Sequence, residues 1–329
     1  MKAIFILNPD FFNRIYPPHL RKVIRQSADF EELAFSANDI QENPSLLNNV
    51  DVIFSAWGMV PLTEEILDHA PLLKAVFYGA GSIRYFTSEA FWKRKIQVTS
   101  AYTVNGEWVA NFTLAQILLA LKNYWQACQE YQQRKTWFKR DNCAGMYQSN
   151  IGIISLGAIG RQVVQLLKPF ELCVYAYDPF WTQEQADRIG VTLLSLDEIF
   201  RTCDVVSLHT PWLPETVGMI TGEHIRSMKP HTTFINTARG AVVREEEMIA
   251  ALEERSDITA LLDVTYPEPP AEDSKLWNLP NVILSPHIAG SISREVEKMG
   301  ALMVEEFQRW VQGKALKNEI TATKANTLA

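Results

Sequence analysis

Residues 151–179 read IGIISLGAIGRQVVQLLKPFELCVYAYDP, and this stretch decides the fold. A β-branched run, IGIIS, leads into a turn with Gly157 and Gly160, and RQVVQLLK continues with helical period. A second apolar run, CVYAY, then ends on Asp178, eighteen residues after Gly160. Strand, glycine turn, helix, strand and acid in this order form a βαβ unit suited to a dinucleotide. Gly157 lets backbone approach a pyrophosphate, Gly160 permits close helix–strand packing, and the helix N-terminus supplies amide donors and partial positive charge. Asp178 suits the adenosine ribose hydroxyls and would repel a 2′-phosphate, which points to NAD rather than NADP. The first position of the G-x-G-x-x-G pattern holds Ser155. That position serves the tight turn, which serine is expected to make with a negative φ. A generic βα turn is the bland alternative; strand, helix and placed acid together favour dinucleotide binding.

Working outward, two stretches alternate short β-rich runs with helical patterns, which implies parallel sheets. The first holds KAIFIL, DVIFSAW, LKAVFYGAG and IQVTS; the second holds IGIISLG, CVYAYD, DVVSLHTP, TTFINTA, TALLDVTY and NVILSP. These runs are continuously apolar, as expected of strands covered on both faces. One long helical pattern, GEWVANFTLAQILLALKNYWQACQEYQQRK, joins the stretches. Its broad apolar stripe suits a buried or subunit-interface position. A last helix, SREVEKMGALMVEEFQRWVQ, is expected to return to the first domain. The expected fold is α/β, with two doubly wound parallel-sheet domains. Residues 1–101 plus 291–329 make a smaller, discontinuous, flavodoxin-like substrate domain, and 102–290 make a Rossmann domain. The polar tail KNEITATKANTLA is expected to be loose.

The chain has 329 residues, 47% hydrophobic and 21% charged, with net charge −7. That is a soluble globular balance, and the acidity argues against nucleic acid as a partner. No apolar run approaches the roughly 20 residues of a membrane span, and the opening run AIFIL is too short for a secretory signal. A cytoplasmic location is expected. Cys128, Cys143, Cys173 and Cys203 are scattered, so reduced, mostly buried thiols are expected and no metal site.

Three polar residues sit just past strand ends: Arg239 after FINTA, Glu268 after LLDVTYP and His287 after NVILSP. In open α/β sheets ligands bind beyond the carboxyl ends of the strands, so all three can share one crevice. Hydride transfer to a 2-oxo acid needs a cation for the carboxylate, an acid for the carbonyl oxygen, and a group that keeps that acid protonated. Arg239 offers a planar fork for the carboxylate. His287 suits the acid. Glu268 suits the third role, since a nearby carboxylate favours the imidazolium and orients the ring. Singly, each reads as a surface ion pair, a solvated turn or a capping histidine; their joint placement carries the weight. His209, in SLHTP, ends another strand and is expected to line the cofactor cleft. His19, His69, His224 and His231 read as surface residues of helices or their flanks.

With these residues the chain resembles the NAD-dependent D-isomer-specific 2-hydroxyacid dehydrogenases. The resemblance rests on the glycine segment, DVVSLHTPWLPETVGMI, FINTARGAVVREEEMIAAL, LLDVTYPEPP and LWNLPNVILSPHIAG. It covers nearly all of the second domain and the first hundred residues more loosely. It implies the catalytic roles given above for Arg239, Glu268 and His287. For the cofactor it implies amides of Ala158 and Ile159 at the pyrophosphate, with Ser155, Gly157 and Gly160 in the loop and Asp178 at the ribose. It adds Thr113 from the linking helix and His209, Thr210, Pro211 and Thr216. It places Thr237 and Ala238 at the nicotinamide ribose, Asp263 near the carboxamide, and Gly290 beyond His287. For the substrate it implies backbone N–H groups of Gly79, Ala80 and Gly81, with Trp57 facing the substrate. It also implies a homodimer joined through the cofactor domain.

The chain departs from the family pattern at three places. Ser155 replaces a glycine, Asn111 replaces an acid in Val109-Ala110-Asn111, and Ser82-Ile83-Arg84-Tyr85-Phe86 replaces Asp-Asn-x-Asp after Gly81. None removes a catalytic group; the last alters the substrate loop. Glyoxylate or hydroxypyruvate reduction is the narrow expectation. A long phosphoglycerate dehydrogenase with an added regulatory domain would need a longer chain, and formate dehydrogenases lack a glutamate at the position of Glu268. The other class weighed is a corepressor-like NAD-sensing protein, which need not keep an acid, its orienting carboxylate and a clamp.

Overall fold

Two parallel sheets carry the chain, one of four strands and one of seven. The computed structural model describes residues 1–137 and 139–325. It divides into two compact units, Met1–Asn105 with Ser291–Ala329, and Gly106–Gly290.

In the first unit the strands are β1 (Ala3–Ile6), β2 (Val52–Ser55), β3 (Ala75–Tyr78) and β4 (Gln97–Ser100). They lie side by side in the order β1-β2-β3-β4. Outside β1 the chain adds parallel bridges, Lys2 with Asp29 and Ile6 with Phe35. Counting that segment as the second strand gives the flavodoxin-like order 2-1-3-4-5. The core is aromatic: Phe54 stacks between Phe5 and Phe77 at 5.3 Å from each. The closing helix, Glu295–Val311, belongs to this unit and sets Phe307 edge-on against Phe54 and Phe77.

The polar tail corrects an expectation. Residues 317–320 are held rather than loose. Glu306, fully buried, accepts from Lys317 N at 3.0 Å and Asn318 Nδ2 at 3.0 Å. The Ile320 amide then donates to Val98 O at 2.9 Å on β4, and Ile320 is buried. A buried acceptor and one apolar side chain outweigh the polar composition. Residues 326–329, also part of that expectation, lie outside the described residues.

The second unit holds β5 (Asn150–Ile154), β6 (Cys173–Tyr177), β7 (Thr192–Leu193), β8 (Val205–Leu208), β9 (Thr233–Asn236), β10 (Thr259–Leu262) and β11 (Val282–Leu284). Their order, β11-β10-β9-β8-β5-β6-β7, is the doubly wound order with one strand added. It reverses between β5 and β8, so a crevice opens past the ends of those two strands. The helix Ala158–Leu167 follows β5 and buries Gly160, Val163, Val164 and Leu167, one face at helical spacing.

The long linking pattern is two helices, Tyr102–Ala120 and Tyr124–Arg134, rather than one. Asn123 breaks it with φ +48°. Asparagine tolerates this left-handed conformation better than most residues, and apolar periodicity does not report it. Of the cysteines only Cys203 is buried, its thiol pushed up to about 12 by desolvation, while Cys128 and Cys173 are exposed. Among the described residues no helix is long and apolar enough to cross a membrane.

Candidate active site

Because all seven strands are parallel, the residues that follow them gather along one edge of the sheet. The loop after β5 is Ser155-Leu156-Gly157, with Gly157 as N-cap of the helix Ala158–Leu167. A Cβ at Gly160 would lie 2.1 Å from Ser155 O, so close packing excludes any side chain there. Gly157 is different. Its φ is −65°, and a Cβ there would meet nothing nearer than Ser155 Oγ at 3.9 Å. Nothing among the described residues requires glycine at 157. The space it leaves, in front of a helix N-terminus, fits an approaching phosphate group.

Asp178, past β6, accepts from Leu156 N at 2.8 Å and Phe180 N at 2.9 Å. The acid thus braces the glycine loop. Ser155 corrects an expectation: its φ is +79°, not negative. The turn out of β5 keeps the left-handed geometry glycine would supply, although the residue carries a side chain.

Past β8, His209 and Thr210 are buried, and His209 Nδ1 and Thr210 Oγ1 have no partner among the described residues. Orphaned buried polar atoms in a crevice are consistent with a ligand that supplies their partners. His209 Nε2 pairs with Ser207 Oγ at 3.0 Å. Thr216 Oγ1 instead ties its own loop, donating to Pro211 O at 2.6 Å. Burial pulls the His209 imidazole down to about 4, while the unfolded chain titrates near 6.5. The stability this neutral ring supports is full above about pH 6.5 and is lost as pH falls toward 4, because the unfolded chain takes the proton first. By pH 5 the loss is about 2 kcal/mol. A lower urea midpoint at pH 5 than at pH 7 is expected, with His209→Gln narrowing the gap; an equal gap in that variant refutes the assignment.

Past β9 comes Thr237-Ala238-Arg239. Thr237 Oγ1 meets Thr113 Oγ1 at 3.1 Å and both threonines are buried, so Thr113 serves this turn. Asn236 shapes it as well, accepting from Ala238 N at 3.0 Å and donating to Arg239 O at 3.2 Å. The Arg239 guanidinium donates to Ala238 O at 2.6 Å. Burial lowers its proton affinity and the nearby Glu268 carboxylate opposes that. No carboxylate lies within ion-pair distance of it among the described residues.

The Arg239 turn abuts the Glu268 turn: a Cβ at Gly240 would sit 2.0 Å from Thr265 C. Tyr266–Pro267 and Glu268–Pro269 are both cis. Thr265 Oγ1 donates to Pro267 O at 2.8 Å, and Tyr266 N donates to Glu245 at 3.0 Å. Glu268 Oε1 lies 2.6 Å from His287 Nδ1, which leaves Nε2 as the outward nitrogen. His287 itself has φ +52°. Asp263, almost fully buried, holds the histidine loop in this shape. Its carboxylate accepts from Ser285 Oγ at 2.5 Å, Ile288 N at 2.9 Å and Ala289 N at 2.9 Å, and its carbonyl accepts from His287 N at 3.0 Å.

Arg239, Glu268 and His287 therefore stand on adjoining turns of one unit, with the glycine loop, Asp178, His209, Thr210, Pro211, Thr237, Ala238, Asp263 and Gly290 on the same sheet. Sequence reasoning missed Asn236, Ser285 and Glu245; a buried asparagine closing the apolar run TFIN was the available signal for the first. His224 is also not a surface residue: it is half-buried against Phe200, ring centroids 4.9 Å apart.

In the first unit, Gly79 N donates to Ser55 O at 2.7 Å, and Ser100 Oγ donates to Ala80 O at 2.8 Å and Gly81 O at 2.5 Å. The amides of Ala80 and Gly81 donate to no other described residue. Trp57 is half-buried and packs edge-on against Phe11 at 5.2 Å.

Residues 114–289 match the family profile of the D-isomer specific 2-hydroxyacid dehydrogenase NAD binding domain. The chain is 30% identical over 275 residues to a D-3-phosphoglycerate dehydrogenase of Methanocaldococcus jannaschii, covering 83% of this chain and 52% of that one. It is 30% identical over 254 residues to that of Bacillus subtilis, covering 77% and 48%. The chain thus spans about half the length of the curated relatives it matches. Among solved structures, a phosphoglycerate oxidoreductase from Rhizobium etli superposes with a TM-score of 0.79, covering 97% of each chain at 22% identity, a likeness of fold.

Proposed function

The chain belongs to the D-isomer-specific 2-hydroxyacid dehydrogenase family, and on that premise we propose that it interconverts a small 2-oxo acid and its (2R)-hydroxy acid with NAD(H). The observation that carries this reading is a half-buried Arg239 without an ion-pair partner among the described residues, on a turn against that of Glu268, which holds His287 at 2.6 Å. A desolvated cation of this kind is suited to an anionic ligand.

When bound, NADH supplies the hydride to the carbonyl carbon. Arg239 clamps the substrate carboxylate, its planar fork matching two oxygens. His287 delivers the proton from Nε2 to the carbonyl oxygen, since Nδ1 is engaged by Glu268. Glu268 fixes the ring and offsets the imidazolium charge, and takes part only through His287. In the oxidation direction the same nitrogen receives the proton. The open side of Gly157 and the orphaned His209 and Thr210 atoms support dinucleotide binding along this edge. Ala158, Ile159, Thr237, Ala238 and Gly290 keep their cofactor assignments. In the first unit, Ala80 and Gly81 offer amides for a carboxylate, and Gly79 and Trp57 keep their substrate assignments.

Glyoxylate and hydroxypyruvate are the substrates we assign. The test follows NADH oxidation at about 340 nm, the nicotinamide absorbance, across glyoxylate, hydroxypyruvate, pyruvate and 3-phosphohydroxypyruvate. Turnover of the first two with NADH is expected, and NADPH should serve poorly because Asp178 repels its 2′-phosphate. No turnover with any oxo acid would leave the NAD-sensing alternative. A preference for NADPH would contradict the role of Asp178, and turnover confined to the phosphorylated acid would correct the substrate.

We assign the homodimer to the second unit. Leu119, Tyr124, Tyr131 and Trp137, on or just after the helices Tyr102–Ala120 and Tyr124–Arg134, are exposed, an apolar face suited to a second copy. Sedimentation showing a monomer at micromolar concentration would refute this. Cytoplasmic location is part of the same reading, and export with a cleaved leader would refute it.

A further inference from the structure

Ser155 occupies a backbone conformation that glycine holds without cost and other residues hold at a cost. The loop gives it no room to relax. Ser155 N donates to Tyr177 O at 2.8 Å, Leu156 N to Asp178 at 2.8 Å, and the Arg161 guanidinium to Leu156 O at 2.7 Å. Ser155 O itself fills the place a side chain at 160 would need.

The hydroxyl has two further properties. It has no hydrogen-bond partner among the described residues, so it does not stabilise the turn. It also lies 3.9 Å from the point where a Cβ of Gly157 would be, on the side Gly157 leaves open. A donor with no internal partner therefore stands beside the space left for a phosphate, next to a helix N-terminus.

We propose that Ser155 is a phosphate-binding residue of the dinucleotide loop, its hydroxyl donating to a pyrophosphate oxygen. This rests on the cofactor reading above and adds a side-chain donor to a loop that otherwise offers backbone. The chain accepts strain at this position in the free protein and recovers it through a charge-assisted hydrogen bond in the complex.

Two substitutions separate the strain from the hydroxyl. Ser155→Gly removes both; Ser155→Ala keeps the Cβ and removes only the hydroxyl. Thermal melting of the ligand-free protein should rise by about 1–3 °C for Ser155→Gly and stay at the wild-type value for Ser155→Ala. Dissociation constants for NADH, read by nicotinamide fluorescence, should weaken about tenfold in both. ADP should follow NADH, whereas adenosine, which has no phosphate, should bind the wild type and both variants alike. Either variant binding NADH and ADP as tightly as wild type, or more tightly, overturns the proposal. A wild type that binds neither overturns the cofactor reading, and this proposal with it.

Discussion

Replacing His287 with alanine is expected to lower turnover by about 10²- to 10⁴-fold while the NADH dissociation constant stays unchanged. The size follows from the role proposed for the ring: a positioned acid lowers the barrier to proton delivery, and water replaces it only poorly. The selectivity follows from placement. Glu268 binds Nδ1 at 2.6 Å, whereas the glycine loop and Asp178 follow other strands. Asp263, not the imidazole, anchors the loop, through Ser285, Ile288 and Ala289. His287 has φ +52°, which alanine adopts less readily than asparagine. His287→Asn is therefore the companion variant, tolerant of the backbone and without a titratable ring. Single-turnover kinetics with saturating NADH would read both. Wild-type turnover in either variant would rule out His287 as the acid. Glu268→Gln should fall between wild type and alanine, because it keeps an orienting partner and loses the charge.

Much of this site was legible because parallel strands buried on both faces spell themselves out as apolar runs. IGIIS, FINTA and NVILSP gave the strand ends, and strand ends gave Arg239 and His287. What stayed hidden depends on angles and partners rather than on residue type. Asn123 and Ser155 both have positive φ, and no apolar spacing carries that sign. Thr192–Leu193 is a strand of two residues, too short to show a pattern. The tail looked loose because its partner, Glu306, lies in a different element and is itself an acid that composition places at the surface. Asp263 is expected near the nicotinamide carboxamide, and its hydrogen bonds to Ser285, Ile288 and Ala289 are a further role that the sequence did not show. A carboxylate with several amide donors near it reads the same in sequence whichever partner it takes.

Arg239→Ala should raise the KM for every accepted oxo acid and lower kcat as well, with kcat/KM falling about 10²- to 10³-fold. A charge-assisted hydrogen bond contributes about 1.5–3 kcal/mol, and a bidentate pair in a desolvated site reaches about 3–4 kcal/mol of lost transition-state binding. Both constants should move because the proposed clamp would hold the acid in the ground state and aim its carbonyl at His287 during reaction. Arg239→Lys separates charge from shape. Lysine restores a point charge but not the planar fork, and its ammonium ends short of where the guanidinium nitrogens reach. It should recover KM in part and kcat hardly at all. NADH affinity should be unchanged in both variants, since the guanidinium faces Glu268 and Ala238 O rather than the glycine loop. An unchanged KM for all oxo acids in Arg239→Ala would show that the carboxylate is held elsewhere. The unengaged amides of Ala80 and Gly81 would then be the next groups to test, because they donate to no acceptor among the described residues.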